Sequence, residues 1–132
     1  MEKEVREMKE QIGCDAASVW LAEGDVVYPY IFVGPKGEKL EGLELKRGQG
    51  LCGYCIEHGE ELLINDLTSD PRWYQNADER TNYATYNLIA LPIIINGESV
   101  GCVQMVNKEG GFVEADVGIC RKLVSMMVEN LY

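Results

Sequence analysis

The pair Asn96-Gly97 sits between an apolar run, residues 88–95, and a second one, residues 100–106. Asn-Gly is the strongest short-range hairpin signal, because both residues accept the positive φ that a tight type I′ turn demands. The chain is therefore committed to an antiparallel sheet, and the rest of the sequence must supply its other strands and its cover. Residues 16–22 and 26–33 read as two more strands, joined by the turn Glu23-Gly24-Asp25. Residues 40–45 read as a third strand of that half, and residues 62–65 as a short apolar one. Helices frame these strands. Met1, Val5, Met8 and Ile12 recur at alternating spacings of four and three, the stripe of an amphipathic helix over residues 2–12. Residues 51–58 form a second helix, reached through the loop 46–50 and ended by Gly59. A last helix runs over residues 113–131. The class is α+β: a mainly antiparallel sheet of five to six strands, with the terminal helices on one face. The short helix and an irregular segment cover the other face.

With 132 residues, 46% of them hydrophobic, the chain makes a single domain with a real core. Its formal net charge of -10, with only twelve scattered Lys and Arg, excludes nucleic-acid polymers, which need clustered basic residues. It equally excludes an anionic membrane surface. Residues 88–95 are the longest apolar run, too short to span a bilayer and interrupted by Pro92. The N-terminus carries no apolar signal-peptide core. Five cysteines without framework spacing suit a reducing compartment, and a cytoplasmic location is expected.

Residues 70–85 carry the most chemistry. Tyr74, Asp78, Thr81 and Thr85 follow one another at spacings of four, three and four, which puts them on one side of a short helical segment. An aromatic ring, a carboxylate and two hydroxyls then converge, a set able to stack on a flat heterocycle and hydrogen-bond its polar edge. No nucleophile–base pair accompanies them, so the chemistry is holding a small molecule rather than converting it. Trp73 and Tyr74 equally suit core aromatics, and Asp78, Thr81 and Thr85 equally suit caps and turns.

Over nearly its whole length the chain resembles a GAF domain, the small-molecule-sensing module of signalling proteins. The resemblance is carried by Gly48-Gln49-Gly50-Leu51-Cys52-Gly53 with residues 59–66, by the strand 88–93, and by residues 99–108. Asn107, Lys108, Phe112 and Asp116 are similar to the Asn-Lys-Phe-Asp-Glu signature of GAF domains in cyclic-nucleotide phosphodiesterases and related adenylyl cyclases. Val117 stands where the final Glu is found. The resemblance implies a ligand pocket lined by Ser18 on the first strand, Phe32 on the second, backbone groups of Leu51 and Cys52, and Tyr74, Asp78, Thr81 and Thr85. Gln104 stands where relatives carry an acidic residue, which removes a charge beside the ligand. A helix N-terminus with free N–H groups suits one phosphate, so a cyclic nucleotide is one ligand the resemblance implies. No metal and no other cofactor is expected. Lys108 and Asp116 are read as an ion pair joining the last strand to the last helix.

Cys52 and Cys55 make a Cys-x-x-Cys at a helix start, the place where a thiol pKa falls. The βαβ context of a redox protein and a second pair for zinc are both lacking. The same segment is similar to that of the GAF-fold free methionine-R-sulfoxide reductases, whose catalytic Cys falls in the segment matching residues 66–86. That segment has none here, so a non-enzymatic sensor is expected, fused to other signalling domains in a larger protein. A thiol enzyme and a ligand-free dimerisation module are the alternatives. Val113, Val117, Cys120, Val124, Met127 and Leu131, extended by Ile119, Leu123 and Met126, give the last helix an apolar arc of roughly 200°. One sheet needs about half of that, and the surplus predicts a homodimer through the terminal helices.

Overall fold

A computed structural model of the chain describes residues 1–35, 42–70 and 85–130. Helix α1 (Glu2–Ile12) leads into β1 (Ala16–Glu23) and β2 (Val26–Val33), then β3 (Leu45–Lys46) and α2 (Gly50–His58). Strand β4 (Leu62–Ile64), a 3₁₀ turn (Leu67–Ser69), β5 (Leu88–Ile95), β6 (Glu98–Val106) and α3 (Glu114–Asn130) complete the order. The six strands form one sheet in the order β3-β2-β1-β6-β5-β4, with every pairing antiparallel. Asn96 and Gly97 both take positive φ, 53° and 80°, and close the β5–β6 hairpin.

The strands alternate between two cores. On one face Ala17, Val19, Ile89, Leu91, Val103 and Met105 pack with Val5 and Ile12 of α1 and Val117, Cys120, Leu123 and Met127 of α3. On the other face Trp20, Leu88, Ala90 and Cys102 pack with Leu51, Cys52, Cys55 and Ile56 of α2. The period of two along a strand thus assigns the terminal helices and α2 to opposite sides of the sheet.

One expected boundary changes: of the third strand expected over residues 40–45, residues 40 and 41 lie outside the described residues, and the described strand is Leu45–Lys46, pairing with Val27 and Val26. Leu43 is buried without being in the strand, so its hydrophobicity serves the core rather than a ladder. Between Val19 and Trp20 the β1–β2 register shifts, leaving Tyr30 as the extra residue, 62% exposed, beside Pro29. A proline without an N–H is tolerated at such a bulge.

Candidate functional site

The antiparallel register builds the site. Ser18 of β1 lies opposite Phe32 of β2 on one side and opposite Gln104 of β6 on the other. Gln104 in turn faces Ala90 of β5, and Ala90 faces Leu62 of β4. Directly opposed residues present their side chains to the same face, and Phe32, Ala90 and Leu62 belong to the core on the α2 side. Ser18, Phe32 and Gln104 therefore form one row on the sheet face that α2 covers at β5 and β6. Ser18 is buried, while Phe32 and Gln104 are half-buried, so the row opens at its two flanks.

Ser18 is committed on one side. The indole N–H of Trp20, two residues along the same strand, donates to Ser18 Oγ at 2.9 Å in a buried setting. A hydroxyl has one proton and two lone pairs. With a lone pair taken by Trp20, Ser18 keeps its O–H as the group to offer to a ligand.

Helix α2, packed on the same face of the sheet, starts without a side-chain cap. Its N-cap, Gln49, makes no capping bond; its amide oxygen accepts the N–H of Lys46 at 3.0 Å instead. The loop folds back so closely that Gly48 N–H donates to the carbonyl of Gly53 at 3.1 Å. A Cβ on Gly53 would meet the backbone of Gly48 and Lys46 at 3.1 Å, so any larger residue would press the loop a few tenths of an ångström away from the helix. Arg47 fastens the loop outward, donating to Ser99 O at 2.9 Å and pairing with Glu57 at 3.4 Å. The first turn of α2 is thereby set in place with its N–H groups left to the site, the arrangement that favours an anion.

The side chains of Leu51 and Cys52 are buried in the core, so what these two residues can give a ligand is backbone. Thr85 is half-buried in the stretch leading to β5. Tyr74, Asp78 and Thr81 lie outside the described residues. Among the described residues the structure brings together Ser18, Phe32 and Gln104, with Leu51 and Cys52 on the same side of the sheet.

The thiols are poorly suited to redox work. All five cysteines are free and buried. Burial pushes the Cys52 thiol up, against a small opposing effect of its contact with Cys102. Contact with Cys102 and burial push Cys55 up, and burial raises Cys102 itself well above the usual range. Both thiols of the Cys-x-x-Cys pair are thus raised rather than lowered, Cys52 by burial and Cys55 first by its contact with Cys102 and then by burial. Among the described residues no cluster of His, Cys, Asp and Glu could hold a metal ion.

Asn107, Lys108, Phe112 and Asp116 form a clasp rather than a pocket. Lys108 Nζ reaches both carboxylate oxygens of Asp116, at 2.9 and 2.7 Å. Asn107, at φ 62°, accepts the Tyr86 N–H through its side chain at 2.8 Å and passes its own N–H to Asn87 O. Two partners of this clasp, Asn87 and Asn65, pair with it through no spacing that the sequence shows. Asn87 bonds both backbone groups of Lys108, and Asn65 bonds both backbone groups of Phe112. Arg121 grips Glu61 across sixty residues of sequence.

The model of the GAF domain family matches residues 1–130. The probable 3',5'-cyclic phosphodiesterase pde-5 of Caenorhabditis elegans is 31% identical over 113 residues, 76% of this chain and 15% of that protein. The dual 3',5'-cyclic-AMP and -GMP phosphodiesterase 11A of Takifugu rubripes is 38% identical over 73 residues, 52% of this chain and 8% of that protein. The chain thus spans only a small part of the length of either relative. Among solved structures, the type II free methionine-R-sulfoxide reductase of Thermoplasma acidophilum superposes with a TM-score of 0.82 at 21% identity, covering 98% of this chain and 87% of the other. The GAF domain of an Acinetobacter phosphoenolpyruvate-protein phosphotransferase gives 0.80 at 16% identity, covering 95% and 75%. At such identities the structures speak for the fold, and the family model speaks for the lineage. The chain belongs to the GAF domain family.

Proposed function

We propose that this GAF domain is a small-molecule-sensing regulatory module of a larger cytoplasmic signalling protein, and not itself an enzyme. The observation that carries the reading is the Phe32–Ser18–Gln104 row on the sheet face that also carries the uncapped start of α2. An aromatic wall, a hydroxyl donor and an amide suit a purine-like ring, and the free N–H groups of α2 suit a phosphate. A cyclic nucleotide combines both. Tyr74, Asp78, Thr81 and Thr85 complete the proposed site, and Gln104 leaves it without the negative charge that an acidic residue would place beside an anion. The relatives named as cyclic phosphodiesterases match this chain over 15% and 8% of their length, which supports a module fused to other domains. Among the described residues no helix is long and apolar enough to cross a membrane.

Calorimetry with both common cyclic nucleotides tests the reading, with Asp78→Ala and Thr81→Ala as controls. Ligand at a hundred times its dissociation constant should stabilise the fold by about 2.7 kcal/mol. No heat at millimolar ligand eliminates the cyclic-nucleotide version. Association through α1 and α3 into a homodimer belongs to the same reading, since Met1 and Val113 remain exposed at the helix ends.

A further inference from the structure

The Ser18 row and the helix α3 lie on opposite faces of the sheet, so whatever happens at one must pass the sheet to reach the other. The β4 edge offers a way around it. Helix α2 ends at Gly59 in the left-handed conformation, and two residues later Glu61 meets Arg121 of α3. The contact is a fork: Arg121 Nε donates to both carboxylate oxygens at 3.1 and 2.8 Å, and Nη2 donates to Oε1 at 2.7 Å. At the other end of β4, Asn65 is equally two-pronged. Its Oδ1 accepts the N–H of Phe112 at 2.8 Å, and its Nδ2 donates to Phe112 O at 3.1 Å. Gly111 makes room for this, because a Cβ there would stand 3.1 Å from the Asn65 side chain.

The two contacts are matched in spacing. Four residues of extended chain from Glu61 to Asn65 span about 13 Å, and the nine steps from Phe112 to Arg121, mostly helical, span about the same. The strand and the start of the helix are therefore two sides of a frame, with Glu61–Arg121 and Asn65–Phe112 as its rungs. Two forks give the frame resistance to shear that a single point contact lacks. Beyond Asn65 the chain is held together locally, with Thr68 and Ser69 donating to Asp66 at 3.0 and 2.8 Å, and is tied to the approach to β5 by the Leu67 N–H on Tyr86 O.

We infer that residues 61–70 and the first half of α3, as far as Arg121, move as one mechanical unit, a brace that carries displacement around the β4 edge to the C-terminal helix. The coupling is a property of the chain without ligand, so it stands or falls separately from the proposed sensing site. The Lys108–Asp116 clasp ties the same helix start to the end of β6, so the brace is a second tie to α3, made at the β4 edge.

Hydrogen exchange of the 132-residue chain tests the brace with each rung removed in turn. Arg121→Gln should speed exchange of residues 62–70, where nothing was substituted, and Asn65→Ala should speed exchange of the first two turns of α3. The effect should be about threefold for the exposed Arg121 rung and larger for the Asn65 rung, with α1 and β1 unchanged. The charge swap Glu61→Arg with Arg121→Glu should restore protection on both sides. Where Asn65→Ala fails to fold, Asn65→Ser and Arg121→Lys give the same reading, each keeping polarity but losing a fork. Faster exchange confined to the substituted element, uniform loss of protection over the whole chain, or no rescue by the swap would each overturn the inference.

Discussion

The ammonium of Lys108 bridges both carboxylate oxygens of Asp116, at 2.9 and 2.7 Å, while the same Asp116 accepts the N–H of Val113 at 2.9 Å. Asp116 lies in the first turn of α3, so it caps the helix start and ties it to the end of β6 in one group. It is 6% exposed in its side chain, against 22% for Lys108. Removing the lysine would leave a nearly buried carboxylate with only backbone partners. Lys108→Ala should therefore destabilise the fold by about 1–3 kcal/mol, and Lys108→Arg by less. Urea unfolding measures this. An unchanged midpoint for Lys108→Ala would mean that the clasp is decorative.

Ser18 and Trp20 should be energetically coupled. Ser18→Ala leaves the indole N–H of Trp20 buried without its acceptor, at a cost of about 1–3 kcal/mol. In a Trp20→Phe background that penalty has no donor to fall on, and the same substitution should cost under about 1 kcal/mol. A double-mutant cycle by chemical unfolding decides it, and additive costs would show the bond to be idle. The coupling also bears on ligand work. Loss of binding in Ser18→Ala would mix a missing hydroxyl with a disturbed Trp20, so Asp78→Ala and Thr81→Ala are the cleaner controls.

What could be read from the sequence was local or periodic. Asn96-Gly97 announced its hairpin because turn chemistry is written in two adjacent residues. The stripe Val5, Met8, Ile12 announced α1 in the same way, through a spacing that survives any tertiary context. Leu43, within the strand expected over residues 40–45, is a core anchor rather than a ladder residue, and apolar character alone does not distinguish the two. Ser18, Phe32 and Gln104 share a row only because two registers happen to align them, and that came from family resemblance, not from any spacing. Asn65 with Phe112 and Glu61 with Arg121 were illegible. Their partners stand 47 and 60 residues away, and polar residues at strand ends have no period.

The five thiols should be silent in the native protein. Burial raises Cys14, Cys52, Cys102 and Cys120, the last up to about 12 from an ordinary 9.0. A folded-state pKa above the unfolded one means that the native state holds its protons more tightly. The associated stability is present below the ordinary thiol value and is lost as pH rises through it toward the folded value. For Cys120 that window runs from 9.0 to about 12. The urea midpoint should fall through that range, and less steeply in Cys120→Ala. Native protein should react with a thiol reagent far more slowly than unfolded protein. Immediate titration of Cys52 and Cys55, or their isolation as a disulfide with a thioredoxin-like potential, would show a working redox couple instead.

The remaining prediction concerns the terminal helices. Among the described residues the apolar arc of α3 packs chiefly on the sheet at β5 and on α1 alongside. Val117, Cys120, Leu123 and Met127 are buried by them, and Ile119, Val124 and Val128 pack half-buried against the same core. Part of the width that sequence alone would give to a second copy is therefore spent on α1. What remains is a flank where Met126 is half-buried without joining that core, with Ile119 seven residues earlier on the same side, and Met1 36% exposed at the far end of α1. A flank that small supports a self-complementary contact about a two-fold axis only if both helices contribute. Sedimentation should show a reversible dimer at high micromolar concentration. Met126→Glu should weaken it by at least about tenfold, roughly 1.4 kcal/mol, while the unfolding midpoint of the monomer stays within about 0.5 kcal/mol of the parent. A chain that sediments as a monomer throughout, or a Met126→Glu variant that dimerises as well as the parent, would place any partner of these helices elsewhere.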